Sequence, residues 1–276
     1  MAKISTEHPV LTEPAKEYVE MVRDNELEMI LTLPNGAKTA PSGAEVTLTL
    51  EKNKECFSKK LVDMCTPGWK KLEQSGADVV DLERLMFADM QFTGVPAAGC
   101  ELVVLDASGL QLGVLGGYPR GAPLARYLLD TLPEQMEEYC NSELGREPYL
   151  PAHDELCIAQ CPPDDRWYRA ALCEQAGGAG GSDARVCRVD HGSLAAVPVP
   201  RLRKMLPDFV RGLPALASNV LVRGFPSNPT EEMLRRAREH LQLDEEGRGR
   251  LTITNCTKID VAYYQVDAPG LLAAME

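Results

Sequence analysis

The feature that most constrains this chain is a pair of short runs, RWYRA (Arg166–Ala170) and RVCRVDHGS (Arg185–Ser193), on either side of a glycine-rich stretch, AGGAGGS (176–182). In an extended strand successive side chains point to opposite faces. The first run therefore sets Trp167 and Arg169 on one face and Tyr168 on the other. The second sets Val186, Arg188 and Asp190 against Arg185, Cys187 and Val189, then breaks at His191-Gly192. Glycine between two such runs reads as a hairpin loop. The pair predicts neighbouring strands of a small barrel.

The 276 residues suffice for one large domain or two small ones, and 44% of them are hydrophobic, so a sizeable core can be buried. The formal net charge is -12 and only 5% of the residues are aromatic. An acidic chain repels nucleic-acid phosphates and draws basic partners. Direct RNA or DNA binding is disfavoured on this ground, and an arginine-rich peptide partner is favoured. The 9 cysteines are scattered without a CxxC pair. Cys56 with Cys65 and Cys157 with Cys161 come nearest to a pair, and buried reduced thiols rather than a zinc site are expected. The sequence calls for no cofactor. No run approaches the ~20 apolar residues of a membrane span, and MAKISTEHPV lacks the apolar centre of a signal peptide. A soluble, cytoplasmic chain is the expectation.

Along the chain, residues 9–33 read as a helix followed by a strand, with Thr12 as N-cap, Pro14 in the first turn and LEMILTL (Leu27–Leu33) as the strand. PNGAKTAPSG is a loop, Glu45–Leu50 a second strand and Cys56–Met64 a short helix that ends at CTPGW (Cys65–Trp69). The far end repeats this order. Thr230 or Asn228 caps a helix through Glu231–Leu241, strands follow at Arg250–Thr254 and Asp260–Val266, and Pro269–Met275 closes as a helix. An internal repeat of helix, strand, strand and helix is one reading; two unrelated α+β pieces are the other. Between them Lys70–Phe92 is charged and weakly helical, and Gly94–Gly99 reads as a boundary. Cys100–Asp106 and Leu110–Leu115 form a hairpin turning at Ala107-Ser108-Gly109. Pro123–Tyr139 is a helix interrupted near Pro133.

WYRA, a hairpin, and a strand ending in VDHGS resemble the core of a Tudor domain, whose pattern is WYRA followed by a strand ending in DYGN. The flanking order resembles an extended Tudor module, in which the Tudor barrel is inserted into an OB-like, staphylococcal-nuclease-like (SN-like) fold. The resemblance covers about residues 98–276, with the barrel at about 148–207. It implies an α+β, mainly β chain. Residues 1–69 resemble the trailing half of a preceding SN-like fold, and 70–97 read as a linker.

The resemblance also implies a site. Tudor domains hold an arginine or lysine side chain, often methylated, in a box of aromatic rings, and the extended family places four aromatics and an asparagine there. The matching positions are Cys161, Tyr168, Arg188, His191 and Ser193, so one aromatic of the four is kept. A cage attracts cations through ring quadrupoles, by roughly 0.5–2 kcal/mol per contact. Cys161 offers no ring, Arg188 brings a like charge into the pocket, and Ser193 reaches less far than asparagine. A methylated arginine is expected to be bound weakly or without preference, unless Arg188 points away or pairs with an acidic neighbour. Arg169 and Asp190 fit a structural ion pair; a direct ligand role is the alternative. Trp167 reads as core and RRARE (Arg235–Glu239) as a solvated helix face.

The nuclease chemistry of the SN-like fold needs clustered acidic groups and arginine around Ca²⁺, and Asp106 and Glu101 stand isolated. GxSxG, HExxH and P-loop motifs are absent, and His8, His153, His191 and His240 are dispersed. The chain is therefore read as no enzyme. It is read as an interaction module of a multi-Tudor scaffold in the piRNA pathway. Its expected partner is the arginine-rich N-terminal tail of a PIWI-clade Argonaute, in the cytoplasm at a perinuclear germ granule. Assembly with another Tudor scaffold or with itself is the alternative, and single-strand binding by the OB-like half is the least favoured.

Overall fold

The structure is a computed structural model. It describes residues 18–22, 28–32, 47–51, 54, 56–57, 67–76, 79, 82–175, 183–245 and 247–276. The chain divides between residues 75 and 76 into two units. In the first, residues 18–22 are helical, and β1 (Met29–Thr32) pairs antiparallel with β2 (Thr47–Leu50). Tyr18, Val19, Val22, Leu50 and Phe57 bury together, with the Tyr18 and Phe57 rings stacked at 5.3 Å. Helix α1 (Gly68–Ser75) buries Trp69. CTPGW therefore does not end this unit, because Gly68 opens a helix. The cap at Thr12, Pro14, the loop at 34–43 and the helix beyond Phe57 lie outside the described residues.

The second unit runs β3 (Cys100–Asp106), β4 (Val114–Pro119), a π-helical turn (Tyr127–Thr131) and α2 (Leu132–Cys140). Next come β5 (Leu156–Cys161), β6 (Arg166–Glu174), β7 (Asp183–Arg188), β8 (Ser193–Pro198) and β9 (Leu202–Lys204). Then follow β10 (Ser218–Val222), α3 (Glu231–Leu241), β11 (Gly249–Ile253), β12 (Asn255–Asp260), β13 (Tyr263–Asp267) and α4 (Pro269–Met275). Pro133 lies in the first turn of α2 and has no N–H to donate, which accounts for the irregular junction with the π turn. Thr230 caps α3, its Oγ1 accepting from the Met233 amide at 3.2 Å.

Two sheets result. The larger has the order β11-β3-β4-β10-β13-β12, with β10 and β13 parallel, and the smaller has the order β8-β7-β6-β5-β9. β4 and β10 are neighbours in the larger sheet, yet the whole smaller sheet lies between them in sequence. The barrel is thus an insertion. Each sheet owns a core: Leu102, Val104, Leu115, Val220, Leu241, Leu251 and Val266 under the larger, and Cys157, Ala159, Cys161, Tyr168, Leu172, Val186 and Val197 inside the smaller. The two pack closely at β4, where a Cβ on Gly116 would sit 2.7 Å from the His191 carbonyl oxygen.

Arg169 fastens the barrel to the segment leading into β10. It is 1% exposed and Asp190 is 4% exposed. Its Nε and Nη2 donate to the two Asp190 carboxylate oxygens at 2.8 and 2.6 Å. Nη1 donates to the carbonyls of Phe209 and Leu213, at 3.1 and 2.9 Å, and Nη2 also donates to that of Pro214, at 2.7 Å. All five guanidinium donors are used. Asp190 accepts in addition from the Leu216 amide at 3.0 Å.

Three sequence expectations need correction. The second strand of the first hairpin is Val114–Pro119, because Leu110–Leu112 form a 3-10 turn. The trailing half contains an unforeseen strand, β12. The supposed repeat thus fails in pairing: β1 and β2 pair directly, whereas β11 and β13 stand at different places in the larger sheet. Residues 70–97 are also not a free linker. Residues 70–75 belong to α1, and 85–93 lie along the barrel unit as a strap. Leu156 N donates to Leu85 O at 2.7 Å, Phe87 N to Asp154 O at 2.8 Å, and Ala215 and Gln91–Thr93 exchange bonds at 2.7 and 2.9 Å. Leu85 and Met90 are buried. Beneath the strap, Glu155, 0% exposed, takes a hydrogen bond from Tyr149 at 2.6 Å and an ion pair from Lys204 at 3.0 Å.

Removing one partner of a buried ion pair leaves an uncompensated charge, which costs about 3–5 kcal/mol. Asp190→Asn keeps the shape and removes the charge, so it should destabilise unit 76–276 by that amount. The urea midpoint of the variant measures this; an unchanged midpoint would show that Arg169 does not depend on Asp190.

Candidate functional site

The barrel gathers the five residues singled out in sequence at the ends of β5, β6, β7 and β8. Tyr168 comes from β6, and its hydroxyl donates to Asp164 Oδ2 at 2.5 Å. His191 lies in the turn between β7 and β8. Its ring stands edge-on to Tyr168 at 5.0 Å and 88°. Arg188 ends β7 and faces Ser193 across the β7–β8 ladder. Its Nε donates to Ser193 Oγ at 2.9 Å, and its guanidinium carbon lies 5.2 Å from the centre of the Tyr168 ring. Cys161 packs in the same core cluster as Tyr168, with its thiol near the Ala159 carbonyl at 3.7 Å.

Arg188 therefore neither points away nor pairs with an acid. It makes no ion pair among the described residues, and its cation faces the ring. The pocket holds one aromatic ring, one imidazole edge and a guanidinium supplied by the chain itself. The sequence reading missed Asp164, which fixes the Tyr168 hydroxyl. Its one signal was an acidic turn, PPDDR, just ahead of the WYRA run. A second cation–π contact was also missed, Arg203 over Trp167 at 5.2 Å. Trp167 is 5% exposed.

The electrostatics follow from burial and from this cation. Burial, and then the Asp164 carboxylate, push the Tyr168 hydroxyl up to about 12. Burial raises the Asp164 carboxyl, but the bonds from the Tyr168 hydroxyl and the Arg166 amide outweigh it and hold the group below the usual carboxylate range. Burial drives the Cys161 thiol up to about 12, with Arg188 opposing, so it stays protonated and inert. Burial and the charge of Arg188 lower His191 to about 4, and its Nδ1 has no hydrogen-bond partner. The imidazole is neutral at pH 7. Among the described residues no cluster of His, Cys, Asp and Glu could hold a metal ion, and no helix is long and apolar enough to cross a membrane.

The WYRA strand, the turn after β7, and a five-stranded barrel inserted between neighbouring strands of a second sheet now stand together. Residues 125–224 match the family model of the Tudor domain. They form a Tudor domain. Over 85 residues the chain is 33% identical to human Tudor domain-containing protein 1, which is 31% of this chain and 7% of that protein. The mouse relative of the same name is 31% identical over 96 residues, 35% of this chain and 8% of that protein. The chain thus spans under a tenth of the length of these relatives. Among solved structures, the extended Tudor domain TD3 from mouse TDRD1, in complex with a MILI peptide containing dimethylarginine 45, superposes with a TM-score of 0.52 and 18% identity. The match covers 64% of this chain and 85% of that one. The human TDRD1 extended Tudor domain, in complex with a symmetrically dimethylated peptide, gives 0.50 and 19%, over 66% and 86%. The fold is therefore that of the extended Tudor domain, a Tudor barrel set in an SN-like sheet. Tudor and extended Tudor domains are non-catalytic modules, and residues 125–224 match that class.

The value for His191 sets a pH dependence. It lies below the ordinary imidazole value near 6.5. Between these values the unfolded chain binds the proton that the folded chain refuses. The stability given by neutral His191 is full above about pH 6.5 and drains as pH falls toward about 4. From pH 7 to 5 the natural chain should lose about 1–2 kcal/mol more stability than His191→Gln. Urea unfolding at the two pH values measures the difference, and equal losses would contradict the buried neutral ring.

Proposed function

We propose that residues 76–276 form a non-catalytic protein-interaction module. It takes an arginine-rich peptide, the N-terminal tail of a PIWI-clade Argonaute, without regard to arginine methylation. The observation that carries this reading is Arg188 over Tyr168. The ring surface on which a methylated guanidinium would be read already faces a cation. A second cation ~4–6 Å away meets like-charge repulsion on the order of 1 kcal/mol or more even with generous screening. Two observations support arginine peptides as the ligand class. Solved domains of the same fold were captured with dimethylated peptides, one of them a MILI peptide containing dimethylarginine. The charge of -12 also attracts basic segments over a distance.

In the same reading the parent protein is a piRNA-pathway scaffold of the perinuclear germ granule. A second reading, assembly with another Tudor scaffold or a second copy, draws on the end of the larger sheet. There the edge strand β12 carries Ile259, 54% exposed, and the turn after it carries Val261, 51% exposed.

Calorimetry with one arginine-glycine peptide, unmodified and symmetrically dimethylated, tests the first reading. The two dissociation constants should agree within about threefold. Restoring rings with Arg188→Tyr and His191→Tyr should tighten only the methylated peptide, by about tenfold, as expected from one or two added ring contacts. A natural chain that prefers the methylated peptide by tenfold would overturn methylation independence. Binding of neither peptide, together with concentration-dependent dimers in light scattering, would favour the assembly reading.

A further inference from the structure

We infer that Arg188 is an intramolecular ligand of the Tyr168–His191 pocket, so that the pocket is a working guanidinium site kept occupied by the chain itself. The inference rests on the arginine-peptide reading only for the identity of the outside competitor.

Four observations support it. First, the guanidinium of Arg188 takes the place of a cage ligand, 5.2 Å from the Tyr168 ring centre, rather than extending into solvent. Second, the receiving groups are held independently of it. Asp164 fixes the Tyr168 hydroxyl, and the His191 ring stands at right angles to the Tyr168 ring. The Tyr168 wall therefore has its own support, and the His191 ring packs against it. Third, no acid accounts for the position of Arg188. Asp190, two residues on, is committed to Arg169 and to the Leu216 amide, and Asp164 to the Tyr168 hydroxyl. What holds the cation is the ring face and one hydroxyl, Ser193 Oγ. Fourth, a second arginine over a ring in this barrel is held differently. Arg203 over Trp167 is also tied through Nη1 to the carbonyls of Pro200 and Leu202. Arg188 has no such backbone tie among the described residues and is the easier of the two to release.

A tethered group competes at high effective concentration. If Arg188 fills the pocket ~99% of the time, an outside guanidinium binds about 100-fold more weakly than to the empty pocket. The cage would then look vestigial in a peptide assay while remaining competent. A partner that draws Arg188 out, through an acidic group offered at the pocket rim, would open it.

The test uses the full chain and N-methylguanidinium as probe, followed by NMR signals of the Tyr168 and His191 rings. Arg188→Ala should bind the probe saturably and at least tenfold tighter than the natural chain. Equal or absent binding in the two proteins would overturn the inference. Should Arg188→Ala not fold, the natural chain still decides. The Arg188 Nε–H signal, identified by its loss in Arg188→Lys, should be shifted upfield by the ring and exchange slowly with water. A signal at the free-arginine position with fast exchange would overturn the inference. No peptide enters either measurement, so a chain that binds no peptide counts against the proposed function alone.

Discussion

The second unit depends on one buried guanidinium. Arg169 sits on the central strand of the barrel, yet three of its five hydrogen bonds reach carbonyls at Phe209, Leu213 and Pro214, on the path back to the larger sheet. Asp190 supplies the countercharge from the turn after β7 and binds the Leu216 amide on the same path. One side-chain pair thus fixes three pieces of chain: the WYRA strand, the turn that carries His191, and the return segment. The planar fork of arginine suits this task, because its donors leave in fixed directions in one plane. Lysine, with three donors on a flexible stem, could not reproduce the pattern.

The same turn joins the ion pair to the surroundings of Tyr168. Asp190 is buried by its bond to Arg169, and its neighbours His191 and Gly192 are thereby pressed against β4, where Gly116 leaves room for the His191 carbonyl. His191 must then present its ring edge to Tyr168, and Arg188 on the other side of Asp190 is aimed over the same ring. The arrangement around Tyr168 follows from a buried ion pair that lies beside it.

Much of this was legible in sequence because alternation and spacing report on strands with one clear face. WYRA and the run through Arg188 were of that kind, and so were the capped helix from Thr230 and the closing helix at Pro269. The misses have physical causes. β12 is an edge strand whose residues are exposed except Cys256, so it carries no period of two. β4 contains Gly116 and Gly117, which weaken any strand signal. They are glycine because a Cβ would meet the His191 carbonyl oxygen at 2.7 Å or the Val103 carbonyl oxygen at 2.4 Å. The strap bonds through its backbone to distant segments, and no local pattern encodes that. The family pattern picked out five positions that the fold brings to one end of the barrel. The direction of Arg188 was not legible, because it depends on the cross-strand hydroxyl of Ser193 and on a tyrosine from another strand.

The strap also separates two notions of a domain. The stretch that matches the Tudor family begins at residue 125, and the inserted barrel begins later still, yet Leu85 and Phe87 supply backbone partners to Leu156 and Asp154 at the very start of β5. A fragment cut at residue 98 would strip that edge of its partners and uncover the sites filled by Leu85 and Met90. The portion of chain that inheritance marks out is therefore smaller than the portion that can stand alone in water. Excision should respect the hydrogen bonds and start upstream of Leu85.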